Sequence, residues 1–216
     1  MIGAIQLQNL VPSFLEEVPP QAVSSEVWRS DLVFEKGKSY LLRADSGKGK
    51  TTLCSFVYGL RSDYTGTIRF DGRDIRTLGP RDWAALRREA LSSVFQGMLL
   101  FDELTALENI RLKPMAEGLD RAEIEACFER LGLADKLHAK VRCLSFGQKQ
   151  RVAFIRMLCQ KADFLLMDEP VSHLDDGNSA VMAQMLRERI ERDGAGLVVT
   201  SIGRDLPYDY NRVLSL

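Results

Sequence analysis

Residues Ser39–Arg43 form a short apolar run that leads straight into Ala44-Asp45-Ser46-Gly47-Lys48-Gly49-Lys50-Thr51, and helical character begins at Thr51. A buried strand, a loop rich in glycine and lysine, and a helix in that order restrict the fold more than any other feature of the chain. Gly47 and Gly49 let backbone N–H groups curl around phosphate oxygens, and the helix N-terminus adds a favourable dipole for an anion. In such a loop Lys50 reaches the β and γ phosphates of a nucleotide and the Thr51 hydroxyl ligates Mg2+. Ser46, Lys48 and Thr52 complete the candidate phosphate contacts, while Ala44 stands where glycine is most usual.

The rest of the chain supplies the sheet that this loop requires. Alternation over Ala4–Leu7 predicts a first strand, the proline-containing stretch 11–26 a long loop, and Val27–Phe34 a second strand. Gly66–Phe70, Asp71-Gly72 and Arg73–Ile75 read as a hairpin with an Asp-Gly turn. Pro80 opens a helix, and Leu91–Phe95 follows as a strand. From about 97 to 161 strand signals stop and helical ones take over. They resume with a strand at Asp163–Met167, a helix over Asp175–Arg192 and a strand at Leu197–Thr200. The expectation is an α/β fold: a mixed-sheet core from 1–96 and 162–216, an N-terminal antiparallel β part, and an inserted α-helical subdomain at 97–161. No internal duplication is present, so one nucleotide-binding unit is expected.

The run Phe164-Leu165-Leu166-Met167-Asp168-Glu169-Pro170 places two carboxylates at the C-terminal end of an apolar strand, the edge of an open parallel sheet where ligands bind. Asp168 suits a Mg2+ ion held through water, and Glu169 suits orienting or deprotonating an attacking water. Taken alone, such a pair is more often an ordinary acidic loop; its position after a phosphate loop reverses that preference.

Composition narrows the function classes. The 216 residues carry a formal net charge of −1 with both signs mixed along the chain, so no basic block gives nucleic acid a footprint. No run approaches the roughly 18 to 20 apolar residues of a membrane-spanning helix. Four scattered cysteines and two histidines fit reduced thiols better than a zinc site.

Leu144-Ser145-Phe146-Gly147-Gln148-Lys149-Gln150-Arg151 resembles the LSGGQ signature of ABC ATPases and, as in that family, lies shortly before the Asp168-Glu169 strand. Phosphate loop, signature and acidic strand in this order make the chain similar to ABC nucleotide-binding domains, P-loop NTPases, over nearly its full length. Within the family, the short chain and the stretch 99–110 look most like the lipoprotein-release, macrolide-export and cell-division ATPases. The resemblance implies ATP and Mg2+ as ligands. It makes Gln96, in Val94-Phe95-Gln96, the Q-loop residue that touches Mg2+ or the attacking water. Ser172-His173-Leu174-Asp175 resembles the D-loop, which puts Asp175 at a dimer interface. Ser145, Gly147 and Gln148 would then bind the γ phosphate of ATP held by another subunit, so that two chains sandwich two ATP molecules head to tail. Phe14 is the candidate aromatic platform for adenine, with Trp28 as the alternative.

One position departs from the pattern. The strand Leu197–Thr200 should be followed by the switch histidine of the family, and Ser201 stands there. Serine has shorter reach and no imidazole, so hydrolysis is expected to be slow or dependent on a partner. Phe146, in place of the first signature glycine, is a milder departure. The expected function is the ATP-binding subunit of a membrane complex, peripheral on the cytoplasmic face of the inner or plasma membrane. Its ATP hydrolysis would drive an integral permease-like subunit through a homodimer or heterodimer of cassettes. Docking is expected over 96–109, with Phe101 and Leu104. An alternative is a regulatory or signalling component that binds nucleotide with weak turnover; an ATPase acting on DNA or ribosomes would need insertions or a second unit that the sequence lacks.

Overall fold

The computed structural model describes residues 1–113 and 119–216. Its strands are β1 (Ala4–Pro12), β2 (Asp31–Glu35), β3 (Ser39–Arg43), β4 (Tyr64–Phe70), β5 (Arg73–Asp74), β6 (Leu91–Val94), β7 (Phe164–Asp168), β8 (Gly196–Ser201) and β9 (Arg212–Ser215). The helices are α1 (Lys50–Val57), α2 (Pro80–Glu89), α3 (Ala106–Arg111), α4 (Arg121–Arg130), α5 (Phe146–Leu158) and α6 (Asp176–Asp193). They build an antiparallel sheet in the order β2-β1-β4-β5 and a parallel sheet in the order β6-β7-β8-β3-β9.

Strands β7 and β8 are buried along their whole length, and β3 at every position except its last. That is the pattern of a parallel sheet covered on both faces. Alternate side chains feed two different cores because successive residues of a strand point to opposite faces. Leu41, Leu165, Met167, Leu197 and Val199 pack with α3 to α6. Tyr40, Leu42, Phe164, Leu166 and Val198 pack with α1 and the antiparallel sheet. The registers Arg43↔Ser201 and Asp168↔Thr200 bring the carboxyl ends of β3, β8 and β7 side by side, so the loops that follow them share one sheet edge.

Between β6 and β7 the described residues form α3, α4 and α5 with no ladder strand. Each helix opens on a reciprocal cap written in the sequence: Thr105 with Glu108, Asp120 with Glu123, and Ser145 with Gln148.

Two stretches differ from expectation. The second strand begins at Asp31 rather than Val27. Ser25 Oγ accepts from the N–H groups of Val27 and Trp28, and Arg29 takes φ +61, so the chain turns there although both apolar side chains are buried. The C-terminal run Val213-Leu214-Ser215, where no strand is expected, belongs to β9 and pairs in parallel with β3.

The loop that carries Phe14 is pinned to the start of β4. Ser13 N–H donates to Asp63 O at 3.1 Å and Ser13 Oγ to Asp63 Oδ2 at 3.0 Å. The Arg61 guanidinium beside Asp63 is the main cause holding its carboxyl at about 2, below the ordinary 3.8. A depressed carboxyl stabilises the fold above its unfolded value and loses that contribution as pH falls through the folded one. Asp63→Asn should therefore lower Tm more at neutral pH than near pH 2, where about half of the folded-state carboxyl is protonated; an equal deficit at both would contradict this.

Candidate functional site

At the end of β3 the chain turns through Gly47, φ +81, and Gly49, φ +97, before α1 begins at Lys50. A Cβ on Gly49 would sit 2.8 Å from Phe14 Cζ and 3.0 Å from Trp28 Cζ2, so glycine is required both by backbone conformation and by the aromatic pair behind it. Trp28 is 3% exposed and its indole N–H donates to Lys48 O at 3.1 Å, making it a brace beneath the loop. Phe14, at 44% exposure, stays partly open to solvent beside Gly49.

A cavity of about 320 Å³ brings together Phe14, Ser46, Gly47, Gly49, Lys50, Thr51, Thr52, Gln96, Glu169 and Ile202. A larger one, about 700 Å³, adjoins it through Phe14, Gly47 and Ile202 and extends past Lys48, Arg43 and Ser215. Lys50 is buried, and its ammonium donates to the carbonyls of Ala44 at 2.9 Å and Asp45 at 2.8 Å. It also lies 3.5 Å from Glu169 Oε1. The Thr51 hydroxyl donates to Asp168 Oδ2 and the Thr200 hydroxyl to Oδ1, both at 2.6 Å, which locks a carboxylate that is 1% exposed.

Glu169 takes φ +51, an uncommon conformation for a residue with a side chain. Its N–H donates to Thr200 O at 3.2 Å, and its carbonyl accepts from Gln150 Nε2 at 3.2 Å. The turn after β7 is thus held from β8 on one side and from α5 on the other.

Gln96 is exposed just past β6. Behind it Met98 and Leu99 have φ +55 and +51, and their carbonyls accept from the Arg156 guanidinium of α5, both at 2.7 Å. Nothing in the sequence announces these two left-handed residues.

Ser201 is 2% exposed and lines neither cavity. Its Oγ accepts from Gly203 N–H at 3.2 Å, and its carbonyl accepts from Ala44 N–H at 3.1 Å. The side chain that reaches both cavities from this turn is Ile202, 49% exposed, which sequence reasoning did not single out.

The signature segment lines neither cavity of its own chain. Ser145 caps α5: its Oγ accepts from Gln148 N–H at 3.3 Å, and Gln148 Oε1 accepts from Ser145 N–H at 2.9 Å. Phe146, 46% exposed, lies against His173 with ring centres 4.2 Å apart. A Cβ on Gly147 would come 3.2 Å from His173 O, so the signature and the loop before α6 touch. Asp175 caps α6, and the Asn178 backbone and side-chain N–H groups hold its carboxyl below the ordinary carboxylate range.

Thr51, Asp168 and Gln96 offer hydroxyl, carboxylate and amide oxygens, hard donors of the kind Mg2+ takes when substrate phosphates and water complete its shell. Among the described residues no group of three His, Cys, Asp or Glu side chains forms a metal site by itself.

The family model described as ABC transporter matches residues 28–172. The chain belongs to the ABC transporter family. The cassette is 30% identical over 217 residues to the lipoprotein-releasing system ATP-binding protein LolD of Shewanella frigidimarina, covering 98% of this chain and 89% of that protein. It is 34% identical over 190 residues to the macrolide export ATP-binding/permease protein MacB of Nitrosomonas europaea, covering 86% of this chain but 29% of MacB. MacB 1/2 of Paracoccus denitrificans is 35% identical over 175 residues, 79% of this chain and 26% of its own length, so the cassette spans under a third of either MacB. A solved dimeric bacterial ABC transporter cassette, MJ0796, superposes with TM-score 0.76 at 26% identity, covering 91% of this chain and 87% of that one. The same protein in a post-hydrolysis dimer bound to ADP and Pi gives 0.74 at 25% identity, with the same coverage.

Proposed function

We propose that this cassette binds ATP along the Lys50 loop, pairs head to tail with a second cassette, and hydrolyses ATP to drive an integral membrane partner. The observation that carries this reading is the convergence of Lys50, Thr51, Gln96 and Glu169 on one cavity, with Asp168 locked behind Thr51. Phe14 stacks against adenine from the open side of the loop. Phosphate oxygens replace the Ala44 and Asp45 carbonyls and Glu169 as partners of the Lys50 ammonium. Thr51, Gln96 and Asp168 would hold Mg2+, which when bound neutralises phosphate charge. Glu169 orients and deprotonates the attacking water. Ser145, Gly147 and Gln148, at the start of α5, meet the γ phosphate on the partner cassette through backbone N–H groups and the helix dipole, and Asp175 lies at the same interface.

The burial of Ser201 and the apolar Ile202 in its place at the cavity favour a second feature, a slow intrinsic turnover. Because the Ser201 hydroxyl is committed to Gly203 N–H, Ser201→Ala should change turnover by less than about threefold from an already low rate. Parallel assays of ATP-dependent dimerisation and phosphate release test this. Wild-type turnover near the typical enzyme value, roughly 10 per second, would refute the slow-hydrolysis reading.

Leu99 and Phe101 are 59% and 60% exposed shortly after Gln96 and Leu112 is 54% exposed at the end of α3, whereas Leu104 is half-buried. Buried Asn109 holds this surface rigid: its Oδ1 accepts from Phe101 N–H at 2.8 Å, and its Nδ2 donates to the Phe101 and Thr105 carbonyls at 3.0 Å. A cytoplasmic helix of the permease-like subunit docks there in this reading, which places the cassette on the inner face of the membrane. No helix among the described residues is long and apolar enough to cross it. Phe101→Asp should abolish co-purification with the membrane partner and leave ATP-dependent dimerisation intact; retained co-purification would move the docking surface elsewhere.

A further inference from the structure

The chain has two histidines, His138 and His173, and neither lines a phosphate-loop cavity. Ser201, where the family resemblance calls for an imidazole, is buried and committed to Gly203 N–H. His173 lies in the loop between β7 and α6 that begins with Glu169, and it is exposed. Ser172 N–H donates to Glu169 O at 3.4 Å and Leu174 N–H to Val171 O at 3.3 Å, with Val171 and Leu174 buried beneath, so the loop is anchored. The imidazole is held at two places. Its ring centre is 4.2 Å from that of Phe146, with the planes tilted by 56°, and its Nδ1 lies 2.8 Å from Ser172 Oγ. With that hydroxyl donating, the neutral ring carries its proton on Nε2. Among the described residues Nε2 has no hydrogen-bond partner, so a free, exposed donor stands beside the signature segment.

We propose that His173 donates its Nε2–H to the γ phosphate of ATP held by the partner cassette, so that an imidazole reaches each phosphate across the interface instead of from the turn after β8. This contact presupposes the head-to-tail ATP dimer proposed above. Three features favour it. Phe146 and Gly147 belong to the segment that meets the partner's nucleotide in that dimer, and His173 lies against both, its ring on Phe146 and its carbonyl where a Cβ on Gly147 would come within 3.2 Å. Since His173 lines neither cavity of its own chain, any nucleotide phosphate it meets is held by another. A ring already stacked on one face and bonded at one nitrogen loses little freedom when its other nitrogen binds, and an N–H donated to a phosphate oxygen is a charge-assisted hydrogen bond. Glu169 in its own cavity and His173 at the partner's nucleotide then sit four residues apart on one anchored loop, which ties the two ATP sites of the dimer together.

The test uses the full chain carrying Glu169→Gln, labelled with 15N in the histidine rings, with His138 as the internal reference. With ATP and Mg2+ the His173 ring signals should shift and Nε2 should couple to phosphorus across the hydrogen bond, while His138 stays in place. Adding Ser145→Arg should leave single chains and an unshifted His173. His173→Phe keeps a ring against Phe146 but has no donor. It should weaken ATP-dependent dimerisation, read by light scattering over a range of protein concentrations, at least about tenfold. His173→Gln retains an N–H and should recover part of that loss; both variants should keep the parent Tm because the position is exposed. A dimer whose His173 signals do not move, or equal dimer affinity in His173→Phe, would overturn the proposal and leave the dimer intact. A protein that stays single with saturating ATP would refute the dimer itself, and this contact with it.

Discussion

Replacing Glu169 with glutamine should lower ATP turnover by about two to four orders of magnitude, the range by which a positioned general base accelerates a reaction. The substitution removes charge and basicity while keeping the side chain's size, so it leaves intact what holds the turn: the N–H to Thr200 O and the carbonyl to Gln150. Lys50 loses one neighbour at 3.5 Å but keeps the Ala44 and Asp45 carbonyls in the absence of nucleotide. Affinity for ATP should therefore change little while phosphate release nearly stops. A turnover within about tenfold of wild type would remove Glu169 from the role of base.

The largest effect on stability is expected from Phe154→Ala. Phe154 is fully buried in α5, in the core shared by the inserted helices and one face of the parallel sheet. Deleting a buried phenyl ring forfeits its transfer energy and leaves a cavity, costing about 3–5 kcal/mol. At roughly 2–4 °C of Tm per kcal/mol for a chain of this size, the fall is about 6–20 °C. The loss reaches the site because α5 carries the Ser145 cap, the Gln150 contact to Glu169 and the Arg156 grip on Met98 and Leu99. Calorimetry of Phe154→Ala beside Phe101→Ala, an exposed ring whose loss should cost about 0.5 kcal/mol or less, separates core packing from surface hydrophobicity. Equal Tm values for the two would contradict the packing argument.

The features legible in the sequence are those whose causes are local. The Ser39–Thr51 passage shows its own strand, glycines and helix start, and the caps at Thr105, Asp120 and Ser145 are each visible as a side chain with its partner three residues on. The apolar runs of β7 and β8 reveal a doubly covered sheet, though not which alternate residue enters which core.

What escaped depends on partners distant in sequence. Strand β9 is four residues long and exists because β3 offers it an edge. The positive φ values at Arg29, Met98, Leu99 and Glu169 fall on residues that ordinarily avoid that region. Arg156, on α5, holds Met98 and Leu99 from outside, and Thr200 of β8 with Gln150 of α5 holds Glu169. Ile202 became a cavity residue because the Ser201 side chain folds back onto Gly203 N–H.

The head-to-tail ATP sandwich is tested most directly by light scattering of Glu169→Gln with and without ATP and Mg2+. The account predicts one chain per particle without nucleotide, two with ATP, and one again when Ser145→Arg is added to the same protein. A particle that stays single with saturating ATP, or a dimer indifferent to Ser145→Arg, would contradict it.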